Sequence, residues 1–238
     1  MSGIRFRWLT KPVLVVWLTG GLVGCGTTTS PTQTALRSAE TGTAGAETVP
    51  YYNTPDFTPI WLTDSAEVNH QITHRIADFS FRDQTNAPVT PETLRGKIYV
   101  ANFFFTSCPS ICPKMTSLLK AVQDTFRQEP AVALVSFSVT PWIDSVPRLR
   151  QYADRNGMID QKWHLLTGDK SAIYTLARRS YFAEEALGFT KDSTEFLHTE
   201  HLILVDPNRR IRGIYNGTIL LEIDKLIADI RTLLHQAN

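Results

Sequence analysis

Two cysteines four residues apart, Cys108 and Cys112, are the side chains of this sequence best suited to chemistry. They stand in Thr106-Ser107-Cys108-Pro109-Ser110-Ile111-Cys112-Pro113, and a third cysteine, Cys25, lies far upstream. A spacing of four brings two sulfurs together across a tight turn or one turn of helix. Thiolate is the form that binds soft metals and attacks disulfides. A structural disulfide is the plainer reading in an oxidising compartment, but so short a loop would constrain the unfolded chain little. Six histidines could add a nitrogen ligand: His70, His74, His164, His198, His201 and His235. Composition does not choose among them. His198 and His201 both precede the run ending in Val205-Asp206-Pro207, so either could reach a sheet edge.

The elements that position the cysteines are legible from pattern. Residues 97–105, KIYVANFFF, form a short apolar run bounded by Gly96 and Ser107, which suits a strand buried on both faces. Residues 113–127 repeat Met115, Leu118, Leu119, Val122 and Phe126 at helical spacing, with Pro113 suited to a first turn. Residues 131–139 read as a second buried strand, and 146–156 as a helix closed by Asn156-Gly157. A short strand near 163–166, a helix near 170–181, strands at 201–206 and 210–215 and a helix near 219–236 complete the pattern. The order β-α-β-α-β-α-β-β-α predicts a single α/β domain: a thioredoxin-like mixed sheet flanked by helices. It places the cysteines at the carboxyl end of the first major strand and the start of the following helix, where open α/β sheets bind ligands.

The first 24 residues are an address rather than part of the domain. Arg5, Arg7 and Lys11 precede the apolar stretch 12–24, PVLVVWLTGGLVG, which is short for a bilayer that needs roughly 20 apolar residues. The sequence Leu22-Val23-Gly24-Cys25 resembles the lipobox of bacterial lipoproteins, which implies cleavage and lipidation of Cys25. A plain N-terminal membrane anchor is the alternative, and both place the remainder outside the cytoplasmic membrane. Residues 25–50 are rich in Thr, Ala, Gly, Ser and Pro, and read as a flexible tether from the lipid to a domain spanning 51–238. The expected location is therefore the cell envelope, with the membrane as a partner through the lipid. Without its first 24 residues the chain carries 21 basic and 23 acidic residues, which gives no reason to expect nucleic acid as a partner.

The cysteine segment also carries a resemblance. Cys108-Pro109-Ser110-Ile111-Cys112-Pro113, following Phe103-Phe104-Phe105, is similar to the CxxxCP signature of the SCO/SenC family of thioredoxin-like, copper-handling proteins. His198-Thr199, eight residues before Asp206-Pro207, matches the position of the family's histidine ligand. Phe137-Ser138-Val139-Thr140-Pro141 with Asp144-Ser145-Val146-Pro147 is similar to the family's SVDP…DTP stretch. The resemblance runs roughly from Tyr51 to the C-terminus. It implies copper held by Cys108, Cys112 and His198, and delivery to the dinuclear copper centre in the copper-site subunit of a respiratory cytochrome c oxidase. It also implies a thiol reductant as a partner of the redox pair Cys108 and Cys112. Two positions depart from the pattern. Leu197 replaces an Asp common before the histidine, and Thr140 replaces the Asp of SVDP.

Three functions follow as expectations. The first is a copper metallochaperone. The second is a thiol-disulfide oxidoreductase or thiol peroxidase using Cys108 and Cys112 without metal. The third is a periplasmic copper sensor or store. The histidine separates the first two, because exchange needs only two sulfurs. His201 stays a rival to His198 as third ligand.

Overall fold

The structure is a computed structural model that describes residues 48–183 and 199–237. The stretches 1–24 and 25–47, with Cys25, and the segment containing His198 lie outside the described residues. The element order is β1 (Tyr51–Tyr52), β2 (Pro59–Ile60), α1 (Ser65–Gln71), β3 (Phe81–Arg82), β4 (Pro88–Val89), β5 (Ile98–Phe104) and α2 (Ile111–Thr125). Next come β6 (Val132–Ser138), α3 (Val146–Asn156), β7 (Trp163–Leu166), α4 (Lys170–Tyr181), β8 (His201–Val205), β9 (Ile211–Asn216) and α5 (Leu220–Ala237).

Strands β5 and β6 are buried at all seven positions each, as their continuous apolar runs require. They pair in parallel as interior strands of a sheet ordered β2-β1-β9-β8-β5-β6-β7. Strand β7 extends the parallel side, and β8 lies antiparallel to β5, so the sheet is mixed as expected. Side chains alternate across it. Ile98, Val100 and Phe104 of β5 face a core shared with α2, α3 and α5. Tyr99, Ala101 and Phe103 face a second core that holds α4 and the β3–β4 hairpin.

Helix α2 presents Met115, Leu119 and Val122 at i, i+4 and i+7, all buried against the first core. It starts at Ile111, two residues before the first helical residue expected from Pro113. Pro113 is thus the third helical residue, still among the first four whose N–H groups have no partner in the helix, so its missing N–H costs nothing. Cys112 therefore sits inside the first turn. Helix α3 ends where the sequence predicts, on Gly157 in the left-handed region at φ 62°. Gly213 in β9 permits a close approach: a Cβ there would lie 2.2 Å from the Tyr215 hydroxyl. That hydroxyl donates to Asp229 of α5 at 2.6 Å and ties helix to sheet.

Residues 51–96 hold elements that the sequence pattern did not reveal. The strands β1 to β4 are two residues long each, too short for any period to show. Side chains hold this region in place. Asn53 Oδ1 accepts from the main-chain N–H of Thr73 and His74, and Gln84 donates to the Trp163 carbonyl while accepting from Leu165 N–H.

Candidate metal and thiol centre

The site begins where β5 ends. The chain leaves Phe104, turns at Phe105-Thr106-Ser107, and the Cys108 N–H donates to the Phe105 carbonyl at 3.3 Å. Ser110 occupies the cap position of α2 but makes no side-chain capping bond. The sulfur of Cys108 does this work, accepting the Cys112 main-chain N–H at 3.5 Å. The first turn of α2 contains no acidic residue to compete with it.

Both cysteines are free thiols, and their surroundings differ. Cys108 is partly exposed. Its burial opposes ionisation, but main-chain hydrogen bonds from Cys112, Ser110 and Ile111 outweigh it and set this thiol below the ordinary cysteine range. Cys112 is 4% exposed and packs in the same core as Phe104 and Met115. Burial first, then the neighbouring Cys108 and the charge of Asp144, push it up to about 12, against a Phe105 main-chain hydrogen bond that lowers it. The pair is therefore an accessible, thiolate-prone sulfur backed by a buried, protonated one. A metal with affinity for thiolate would displace the second proton.

Asp144 holds the turn in place. It is fully buried in the loop between β6 and α3. It accepts from Thr106 N–H (3.2 Å), Thr106 Oγ1 (2.5 Å), Ser138 Oγ (2.6 Å) and Thr140 Oγ1 (3.0 Å). Arg148 Nε stands 3.6 Å from the carboxylate and donates to Thr106 Oγ1 at 2.6 Å. One carboxylate thus joins the ends of β5 and β6 two residues before Cys108. Thr140 fills this role with a hydroxyl, where an Asp would set a second negative charge against the buried Asp144. Sequence reasoning saw Asp144 only as part of a resemblance. The signal for its structural role was the density of Ser and Thr at the two strand ends. Next to it, Trp142 (58% exposed) and Ile143 (41% exposed) project into solvent.

The histidines separate clearly. His201 opens β8 on the same strand face as Ile203 and Val205, which pack in the second core. Its ring meets Phe57 edge-on at 6.0 Å, and its Nδ1 is buried without a partner. Cys112 belongs to the other core, so the sheet lies between them. His164 pairs with Asp83 at 2.9 Å, and His74 Nε2 bonds to the Ser180 carbonyl at 2.9 Å. Among the described residues, no third His, Cys, Asp or Glu joins the two sulfurs in a group able to hold a metal.

The sequence model of the SCO1/SenC family matches residues 68–235. The chain belongs to that family. Among related proteins, the SCO1 protein homolog of Bacillus subtilis (strain 168) is 28% identical over 168 residues, covering 70% of this chain and 86% of that one. A putative copper-binding protein of Stutzerimonas stutzeri is 29% identical over 147 residues, covering 59% and 68%. The fold resembles BsSco, a member of the Sco family of cytochrome c oxidase assembly proteins in which a disulfide switch was identified (29% identity, TM-score 0.58, 67% of this chain and 93% of that one). It also resembles a SCO1/SenC family lipoprotein from Bacillus anthracis str. Ames (26%, TM-score 0.60, 68% and 96%). A third SCO structure, Arabidopsis thaliana ScoI with copper bound, gives 27% identity and TM-score 0.52, covering 65% and 97%. The thioredoxin-like sheet is thus common to this chain and its SCO relatives.

Proposed function

We propose that this protein is a copper metallochaperone that delivers copper to the dinuclear copper centre of a respiratory cytochrome c oxidase. The observation that carries the reading is the asymmetric dithiol: Cys108, partly exposed, whose sulfur accepts a main-chain N–H at the start of α2, and Cys112, buried one turn on. Two thiolates form a soft, compact donor set that favours Cu(I). The third ligand is His198. Two facts support it: the match of His198-Thr199 to the family pattern, and the position of its rival His201 on the far face of the sheet. Three protein ligands leave copper open to a further donor, so an acceptor can bind it before this chain lets go. The exposed Trp142 and Ile143, in the loop that carries Asp144, offer that acceptor an apolar contact.

The same pair suits a second, redox role, keeping the acceptor's cysteines reduced. The low-pKa, accessible Cys108 thiolate attacks an acceptor disulfide and one acceptor thiolate leaves. Cys112 then gives up its proton and attacks the Cys108 sulfur. The acceptor departs as a dithiol, and the Cys108–Cys112 disulfide that remains is reduced by an external thiol reductant. In this account Cys25 carries the lipid, residues 25–50 tether the domain, and the protein works in the cell envelope. Among the described residues, no helix is long and apolar enough to cross a membrane.

The experiment is a Cu(I) titration of the chain with Cys108 and Cys112 reduced, repeated after their oxidation to the disulfide. The reduced protein should take up one copper per chain and the oxidised protein none at this site. Equal uptake by both forms would place the metal elsewhere.

A further inference from the structure

Two arginines unused by the copper site are buried at the far end of the sheet. Strands β8 and β9 are antiparallel, so Arg210, just before β9, stands at the end opposite the cysteine turn. Arg210 is 7% exposed and Arg212, two residues on and on the same face, is 5% exposed. Tyr51 lies beneath both, its ring centroid 3.8 Å from the Arg212 guanidinium carbon and 5.9 Å from that of Arg210.

The partners of the two differ. Arg212 donates to the Val49 and Pro50 carbonyls and pairs with Asp206 at 3.6 Å. Arg210 finds a neutral acceptor, Asn69 Oδ1, and its buried Nε has no partner. It forms no ion pair among the described residues. A third guanidinium, Arg75, lies near enough to feel Arg210 and, among the described residues, donates to the Ile72 and His74 carbonyls. Among the described residues, Asp206 interacts electrostatically with all three arginines.

Buried guanidinium is costly unless it is paired. Arg212 has Asp206 for this, but beside Arg210 lies a cavity of about 600 Å³ instead of a carboxylate. Its lining includes Arg210, Arg212, Tyr51, Asn69, Ser65 and Thr63, and contains no acidic residue. Planar guanidinium forks surrounded by hydroxyl and amide groups are the recognition chemistry of phosphate oxygens.

We infer that this cavity binds a phosphate group, held by Arg210 and Arg212. The cavity exceeds the needs of a bare oxyanion, so a substituted phosphate fits as well. The group can come from free phosphate or from a lipid headgroup, because Thr48 and Val49 of the cavity wall lie at the end of the tether that, in the function proposed above, leads from the lipid on Cys25.

The test is calorimetric titration of the full chain in neutral detergent, with ionic strength held constant by chloride. The probes are inorganic phosphate and glycerophosphoglycerol, the headgroup of phosphatidylglycerol. We expect saturable binding of at least one probe at one site per chain. Arg210→Gln should weaken it at least about tenfold. Ser65→Asp sets a carboxylate on the cavity wall at an exposed position that leaves the core untouched, and should weaken binding to a similar degree. Tighter binding of glycerophosphoglycerol assigns the site to a lipid headgroup, and tighter binding of phosphate assigns it to free phosphate. No saturable binding of either probe, or parental affinity in a folded Arg210→Gln or Ser65→Asp variant, overturns the inference. Copper uptake is not part of the readout, so this result stands apart from the function proposed above.

Discussion

Replacing Asp144 by Asn tests how the cysteine turn is held. The substitution keeps the shape and removes the charge. The carboxylate accepts four hydrogen bonds from Thr106, Ser138 and Thr140. An amide oxygen in place of Oδ2 can keep three of them, now as neutral bonds. The amide nitrogen in place of Oδ1 faces the Thr106 hydroxyl and the Arg148 Nε, which also donates. Hydrogen bonds to charged groups contribute about 1.5–3 kcal/mol, and neutral ones about 0.5–1.5. At the lower ends of these ranges, weakening three bonds by about 1 kcal/mol each and losing one charge-assisted bond of about 1.5 kcal/mol comes to roughly 4.5 kcal/mol. The Arg148 pair adds little, because Arg148 is exposed to solvent and salt. For a domain of this size, 1 kcal/mol moves Tm by about 2–4 °C, so Tm should fall by about 9–18 °C. Thermal unfolding of the reduced protein, followed by circular dichroism, reads it. Loss of the negative charge should also ease ionisation of Cys112, so its alkylation should set in at lower pH than in the parent. A variant within about 0.5 kcal/mol of the parent, the ordinary range for surface substitutions, would refute the reasoning that Asp144 anchors the turn.

Two further outcomes follow from burial. Alkylation of the reduced chain should modify Cys108 at pH values below the range of an ordinary thiol and leave Cys112 unmodified up to strongly alkaline pH, as mass spectrometry of timed samples will show; equal rates at both sites would contradict the asymmetry. Acid should destabilise the fold through His74 and His201, both lowered from 6.5 first of all by burial. The unfolded chain binds these protons first, so this stability is full above about pH 6.5 and is lost as pH falls from there through the depressed folded values. His201→Phe removes a buried unpartnered Nδ1 beside Phe57 and should make the protein more stable, with a shallower loss between pH 6.5 and 5; a steeper loss in urea titrations would count against this account.

The sequence revealed most where the chain is most buried. Ile98–Phe104 and Val132–Ser138 are covered on both faces, and this burial writes itself as an uninterrupted apolar run. Helix α3 was legible to its last residue because Gly157 adopts the left-handed conformation that ends it. Helix α4 and strand β7 follow their patterns equally closely. Residues 51–96 were opaque because their two-residue strands are fixed by single polar side chains such as Asn53 and Gln84, which leave no period. At the site, the two cysteines declared themselves by spacing. Their opposite ionisation did not, since it depends on which sulfur reaches the start of α2 and which is enclosed with Phe104 and Met115. Asp144 was hidden for a similar reason: Thr106, to which it binds, lies 38 residues away in sequence. Alternation along β8 sets His201 on the face away from Cys112.

The central claim is that copper is held by Cys108, Cys112 and His198. It is tested most directly by competitive Cu(I) titration of the reduced chain and three single variants: Cys108→Ser, His198→Ala and His201→Ala. The account predicts one tightly bound copper in the parent. Cys108→Ser should lose it, and His198→Ala should bind it at least roughly tenfold more weakly, about 1.4 kcal/mol. His201→Ala should stay within about twofold of the parent, less than 0.5 kcal/mol. Parental affinity in His198→Ala together with a large loss in His201→Ala would contradict the ligand assignment, and undiminished binding in Cys108→Ser would contradict the copper centre itself.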